Sequence, residues 1–203
     1  MSDAREQILA RVRESLAPLT QRASLPKWES ELVKVRQTRG PGDRWAQFAQ
    51  SLKAVNGTPL DSIAGLVALL ERNNWLHGYC DPQLWSELQP GFPATFVIET
   101  VFDRTRVDDY QFGITAATGA IAETGTLILT DRGTSCRLGA LAPWVHVAVL
   151  HLMDIFPDLP TAVSALPLDP NVIWVTGPSK TADVEGILIE GVHGPGVQVA
   201  LLC

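Results

Sequence analysis

Five runs constrain this chain more than anything else in it: QFGITAA, TLILT, WVHVAVL, NVIWVTG and GVQVALL, all between Gln111 and Leu202. Each has the length of a strand and is rich in β-branched residues. Several are apolar at consecutive positions instead of alternating ones, as strands covered on both faces require. Such strands belong to a mostly parallel sheet held between two layers. Ahead of them, DRWAQFAQSLKAV and PLDSIAGLVALLERN carry helical periodicity, with Asp61 or Ser62 as N-cap and Asn73-Asn74 as a stop. WLHGYC reads as a strand, DPQLWSEL as a helix with Pro82 in its first position, and ATFVIET as a strand. The expected architecture is a three-layer α/β sandwich around a mostly parallel sheet, with sites where strands end in Gly-rich turns.

The first residues are organised differently. Ile8, Leu9, Val12, Leu16 and Leu19 mark one face of an amphipathic helix ending near Pro18, and Thr20 to Arg44 is polar and locally basic. Residues 1–42 therefore read as a helix and connecting arm, either a solvated excursion or a docking surface, and residues 43–203 as the α/β domain. The 203 residues suffice for one such domain. A net charge of −6 and a pI near 5.2 argue against a nucleic-acid partner, because neutralising phosphates needs clustered Lys and Arg. No signal peptide or membrane span is expected: the longest apolar stretch is broken by Pro143, His146 and His151. Cys80, Cys136 and Cys203 stand far apart without a Cys-x-x-Cys pair, so no disulfide framework and no iron–sulfur or zinc centre is expected on this chain, and the expected setting is the cytoplasm.

Three stretches depart from core filler. GITAATGAIAETGTLILT surrounds one carboxylate, Glu123, with glycines and hydroxyls; Thr115, Thr124, Gly125 and Thr126 can bring donors and bare backbone to an anion or carbonyl. The alternative is a tight turn with Glu123 accepting backbone hydrogen bonds. DRGTSCRLGALAPWVH places Ser135 and Arg137 after a Gly-containing turn, and the planar guanidinium of Arg137 suits either a substrate carboxylate or Glu123 itself. Cys136 between them reads as a nucleophile or as packing. VTGPSKTADVEGILIEGVHGPG reads as strand, turn, helix, turn: Gly177, Ser179, Lys180 and Thr181 form either an anion cradle or, through Ser179 or Thr181, the cap of that helix. In GVHGPG, Gly194 and its neighbours fix a turn that can aim His193 at a pocket, whereas His77, His146 and His151 read as core or surface groups. No histidine spacing matches a metal site, and none is expected.

Taken in order, GITAATGAIAETGTLIL, SCRLGALAPWVHV and GPSKTADVEGILIEGVHGP resemble the LUD-domain family, the lactate-utilisation protein C group, over roughly Asp43 to Cys203. The resemblance implies a fold similar to the NagB/RpiA/CoA-transferase-like group and a role in oxidising L-lactate to pyruvate beside two iron–sulfur subunits. Redox centres would then sit on those partners. Three readings of the chain follow. It is a non-redox subunit binding a small carboxylate; or an enzyme with Glu123 as nucleophile or acid/base, as the Glu-containing Gly turn of CoA transferases suggests; or a structural adaptor working through its N-terminal helix and arm.

Overall fold

The structure is a computed structural model describing residues 2–18, 43–134, 136–166, 169, 171–182 and 188–203. The chain divides into two compact units, Met1–Arg36 and Gln37–Cys203. In the first, α1 (Ser2–Leu16) is the expected helix; Ile8, Val12 and Leu16 are exposed on it and Leu9 is half-buried. Leu19 and the connecting arm lie outside the described residues.

The second unit runs α2 (Arg44–Ala54), β1 (Thr58–Leu60), α3 (Ile63–Arg72), β2 (His77–Cys80), α4 (Pro82–Leu88), β3 (Val97–Glu99), β4 (Phe112–Ala116), β5 (Gly119–Ile121) and β6 (Thr126–Thr130). It continues with α5 (Arg137–Leu141), β7 (Val145–Leu150), β8 (Ile155–Phe156), α6 (Leu159–Ala165), β9 (Val172–Val175), β10 (Lys180–Ala182), β11 (Leu188–Glu190) and β12 (Val197–Leu202). Local chemistry sets the helix ends. Ser62 accepts a hydrogen bond from Gly65 N at 3.3 Å, and Asp81 accepts one from Gln83 N at 3.0 Å ahead of Pro82. Asn73 caps the end of α3, and Asn74 follows it in the left-handed region, with φ 56°.

Six strands form a parallel sheet in the order β1-β12-β7-β4-β2-β3. One face packs Phe112, Ile114, Val145, Val147, Val149, Val199 and Leu201 against Leu66, Val67 and Leu70 of α3 and Leu84 and Leu88 of α4. The alternate residues Ala148, Leu150 and Ala200 meet Phe48 and Leu52 of α2 on the other face. This two-sided burial accounts for the continuous apolar runs.

Three segments differ from expectation. TLILT and NVIWVTG are strands, but they belong to a second sheet, β8-β5-β6-β9, with β6 antiparallel to β5 and to β9. This sheet covers the parallel one through Ala120 and Leu127, and its far side packs Ile121 and Ile128 on Ala162 of α6. The helix expected after GPSK is corrected: Lys180–Ala182 and Leu188–Glu190 pair as antiparallel strands, so among the described residues Ser179 and Thr181 lead into a strand and not into a helix.

Chain order reverses between β2 and β4. From β2 the chain steps to β3 at one edge, and from β4 it steps to β7 and then β12 toward the other. Crevices at the carboxyl ends of strands beside such a reversal are where open α/β sheets hold ligands.

Candidate functional site

The first cavity, about 430 Å³, is lined by Arg104, Asp131, Thr134, Cys136, Arg137, Leu138 and Leu141. Its wall is fastened to the carboxyl end of β4, since the Thr134 hydroxyl donates to Ala116 O at 3.0 Å. The preceding turn is fixed by Asp169, which accepts from Asp131 N and Arg132 N at 3.2 Å each. α5 can lie close to the sheet because Gly113 and Gly139 lack side chains: a Cβ on Gly113 would collide with Gly139 O, and one on Gly139 with the Tyr79 ring. That approach sets Arg137, Leu138 and Leu141 along the cavity. Arg104 enters from the turn after β3.

The charges in this cavity are unequal partners. Arg137 Nε lies 3.0 Å from Asp131 Oδ1, and Asn171 Nδ2 donates to Asp131 Oδ2 at 2.7 Å. Oδ1 is buried and receives no hydrogen bond, so the Arg137 contact is an ion pair without hydrogen-bond alignment. Arg137 is therefore paired with Asp131 and not with Glu123, and its side chain stays 48% exposed. Arg104, exposed, makes no side-chain hydrogen bond or ion pair among the described residues. Cys136 is half-buried at the start of α5; its Sγ has no recorded partner there either.

The second cavity, about 260 Å³, gathers the C-terminal turns. Gly177, Ser179, His193 and Gly194 line it with Trp174, Thr176, Pro178 and Pro195, over a floor that includes His146 and Gln198. His146 is 1% exposed; Nδ1 donates to Gln198 Oε1 at 2.9 Å, and Nε2 meets the Thr115 hydroxyl at 2.9 Å. Gln198 Nε2 donates in turn to Val199 O at 3.0 Å. These three residues face the second layer from β4, β7 and β12, and burial pushes the His146 imidazole down to about 4. Thr115 is thus engaged inside a satisfied polar core.

The Glu-Thr-Gly-Thr turn lies elsewhere, docked on α2. Ser51 Oγ donates to Ala122 O at 2.8 Å and to Glu123 O at 3.2 Å, while Glu123 N donates to Pro157 O at 3.2 Å. Gly125 has φ 68°, and a Cβ there would strike the backbone of Leu52. The hydroxyls of Thr124, Thr126 and Thr176 are linked at 2.7 and 2.8 Å. The Glu123 carboxylate makes no hydrogen bond or ion pair among the described residues, and it lines neither cavity. Lys180 lies 3.7 Å from Glu190 and donates to Val55 O at 3.3 Å. Thr181 pairs with Ile189 between β10 and β11, and Ser135 lies outside the described residues. The sequence-predicted residues are therefore divided among four places: the first cavity with Arg137, the second cavity and the polar core under it, the turn on α2, and the β10–β11 pair with Lys180 and Thr181.

Sequence reasoning missed Arg104, which sits in FDRTRV with no motif around it; the available signal was its position just past a strand. It also missed a cluster at the sheet edge. There Glu99 accepts from His77 Nε2 at 2.8 Å and from the Tyr110 hydroxyl at 3.0 Å, and pairs with Arg106 at 3.2 Å. The His77 hydrogen bond, aided by Tyr110 and Arg106, holds Glu99 below its usual range. Among the described residues no group of three or more His, Cys, Asp or Glu is placed to hold a metal ion, and no helix is long and apolar enough to cross a membrane.

The fold and the first cavity define an α/β protein with an open, arginine-bearing crevice at the carboxyl end of a parallel sheet. The model of the LUD domain matches residues 93–202, and the chain belongs to that family. It is similar to Lactate utilization protein C of Bacillus licheniformis, 33% identical over 98 residues, covering 44% of this chain and 41% of that protein. Proteins of the same name from Geobacillus sp. (29% over 142 residues; 64% of this chain, 53% of the relative) and Deinococcus radiodurans (34% over 102; 48% of each) are also similar. The chain spans about half the length of the curated relatives it matches. Its fold is similar to the crystal structure of a DUF162 family protein from Deinococcus radiodurans, with a TM-score of 0.52 and 20% identity over 79% of this chain and 96% of that one.

Proposed function

We propose that this chain takes part in lactate utilisation as a non-redox, carboxylate-binding subunit whose ligand site is the first cavity. The name shared by its relatives supports the pathway. The observation that carries the site is the pair of guanidinium groups, Arg104 and Arg137, facing one crevice beside the chain reversal. Asp131 lies beside Nε of Arg137, which leaves the Nη edge for a carboxylate, and Arg104 is uncommitted among the described residues. Lactate and pyruvate each offer one carboxylate and one adjacent oxygen.

Oxidation of lactate needs an electron acceptor, and the proposal places iron–sulfur centres on partner subunits. The donor set here suits a cluster poorly: Cys80 is buried, and desolvation followed by the charge of Asp81 pushes its thiol up to about 12. Purification under anaerobic conditions with iron analysis separates the two cases, partners carrying the iron supporting the proposal and stoichiometric iron on the isolated chain opposing it. Calorimetric titration with L-lactate and pyruvate tests the site: saturable binding with a rise in Tm supports it, and no heat and no Tm shift at millimolar ligand count against it. Glu123 lines neither of the two cavities, and its turn is fastened to α2 through its backbone, so the carboxylate-site reading is preferred to Glu123 as a nucleophile.

A further inference from the structure

The first cavity has a charge balance and a shape that narrow its ligand. Its lining groups carry two positive charges, on Arg104 and Arg137, and one negative charge, on Asp131. One positive charge is left over, which one carboxylate neutralises and two over-fill. The site is also larger than a three-carbon acid requires. Six non-hydrogen atoms occupy at most roughly 180 Å³ even if each takes the liquid share of a water molecule, and the cavity holds about 430 Å³.

The remaining space has a chemical character. Leu138 and Leu141 lie three residues apart on α5 and both line the cavity, and Leu141 is 38% exposed. Arg137 stands at the start of the same helix. The lining on α5 therefore runs from a cation to hydrocarbon, and Arg104 adds a second cation from another element. Exposed leucine in a concave wall gains by covering.

Resting on the reading of this cavity as a carboxylate site, we infer that it selects monocarboxylates bearing an aliphatic substituent longer than methyl. Arg104 binds the carboxylate, and Leu138 and Leu141 take the chain. Asp131 sets the selectivity for a single negative charge by consuming half of the positive charge. L-lactate is then the smallest acceptable member of the class and not the best.

Titration of the full chain with L-lactate, L-2-hydroxybutanoate, L-2-hydroxy-4-methylpentanoate and L-malate tests this. Affinity is expected to rise about threefold to fourfold for each methylene buried, and L-malate is expected to bind at least tenfold more weakly than L-lactate. Arg104→Gln should weaken every acid tenfold or more at unchanged Tm, and Leu141→Ser should compress the difference between the longest and shortest acids. An affinity that is flat or falls with chain length, malate binding equal to lactate, or full binding by the Arg104 variant overturns the inference while leaving the carboxylate site standing. Binding of none of the four acids removes the site and the inference together.

Discussion

In the proposed site, Asp131 offsets one of the two positive charges that line the first cavity. Its carboxylate touches Arg137 and Asn171, and its buried Oδ1 has a charge beside it but no donor along its lone pair. With Arg137 48% exposed, the pair adds little stability, in the range of about 0–1 kcal/mol; in the proposed site it keeps the guanidinium beside the cavity. Arg137→Gln should lower L-lactate affinity about tenfold or more by calorimetry while moving the urea midpoint by less than about 1 kcal/mol equivalent; an unchanged affinity would contradict its place in the site. His146 offers a separate residue-scale test. Its imidazole is held at about 4 against an ordinary 6.5, so between these values the unfolded chain takes up a proton that the folded chain refuses. Stability is complete above pH 6.5 and falls as pH drops toward 4, by on the order of 3 kcal/mol. Glu99, held below its usual 4.5, adds a loss only at lower pH, because its stabilising charge is present above 4.5 and disappears as pH falls through its lowered value. Urea midpoints between pH 7.5 and 4.5 should show the slope, and His146→Gln should flatten it; equal slopes in both proteins would mean that His146 does not titrate as described.

At the scale of elements, two glycines hold the layers at their separations. Gly113 lets α5 press onto β4, and Gly125, at φ 68°, lets the β5–β6 turn rest on α2. Gly113→Ala should cost roughly 2 kcal/mol or more in urea denaturation and also weaken lactate binding, because it displaces the helix that carries Arg137. Gly125→Ala should cost roughly 1–3 kcal/mol and leave the affinity of the remaining folded protein intact. Equal effects of both substitutions on affinity would oppose the separation of turn and cavity. The same elements mark what could be read from sequence. Helix starts at Ser62 and Pro82 were legible because a capping side chain or a proline ring acts within one turn. The GPSK segment was not: hydroxyl and acidic residues suit a cap as well as a strand end, and only the pairing of Lys180–Ala182 with Leu188–Glu190 distinguishes them.

Across the whole molecule, the parallel sheet was legible because burial on both faces writes itself into consecutive apolar residues. The second sheet was not, since its β5 and β8 have three and two residues and leave no periodic signal, and pairing with them is what takes TLILT and NVIWVTG out of the parallel sheet. The candidate site was half legible for a related reason. Arg137 announces its chemistry by residue type, whereas Arg104 joins it only through the return of the chain after β3, thirty-odd residues earlier in the sequence. The turns richest in suggestive residues settled on a different cavity or on α2. Backbone amide shifts recorded during titration with L-lactate test the central claim most directly, because they report place as well as binding. Perturbations are predicted to cluster at Arg104 and across Asp131 to Leu141; perturbations confined to Gly177–Gly194 and His146, or none at millimolar lactate, would contradict it.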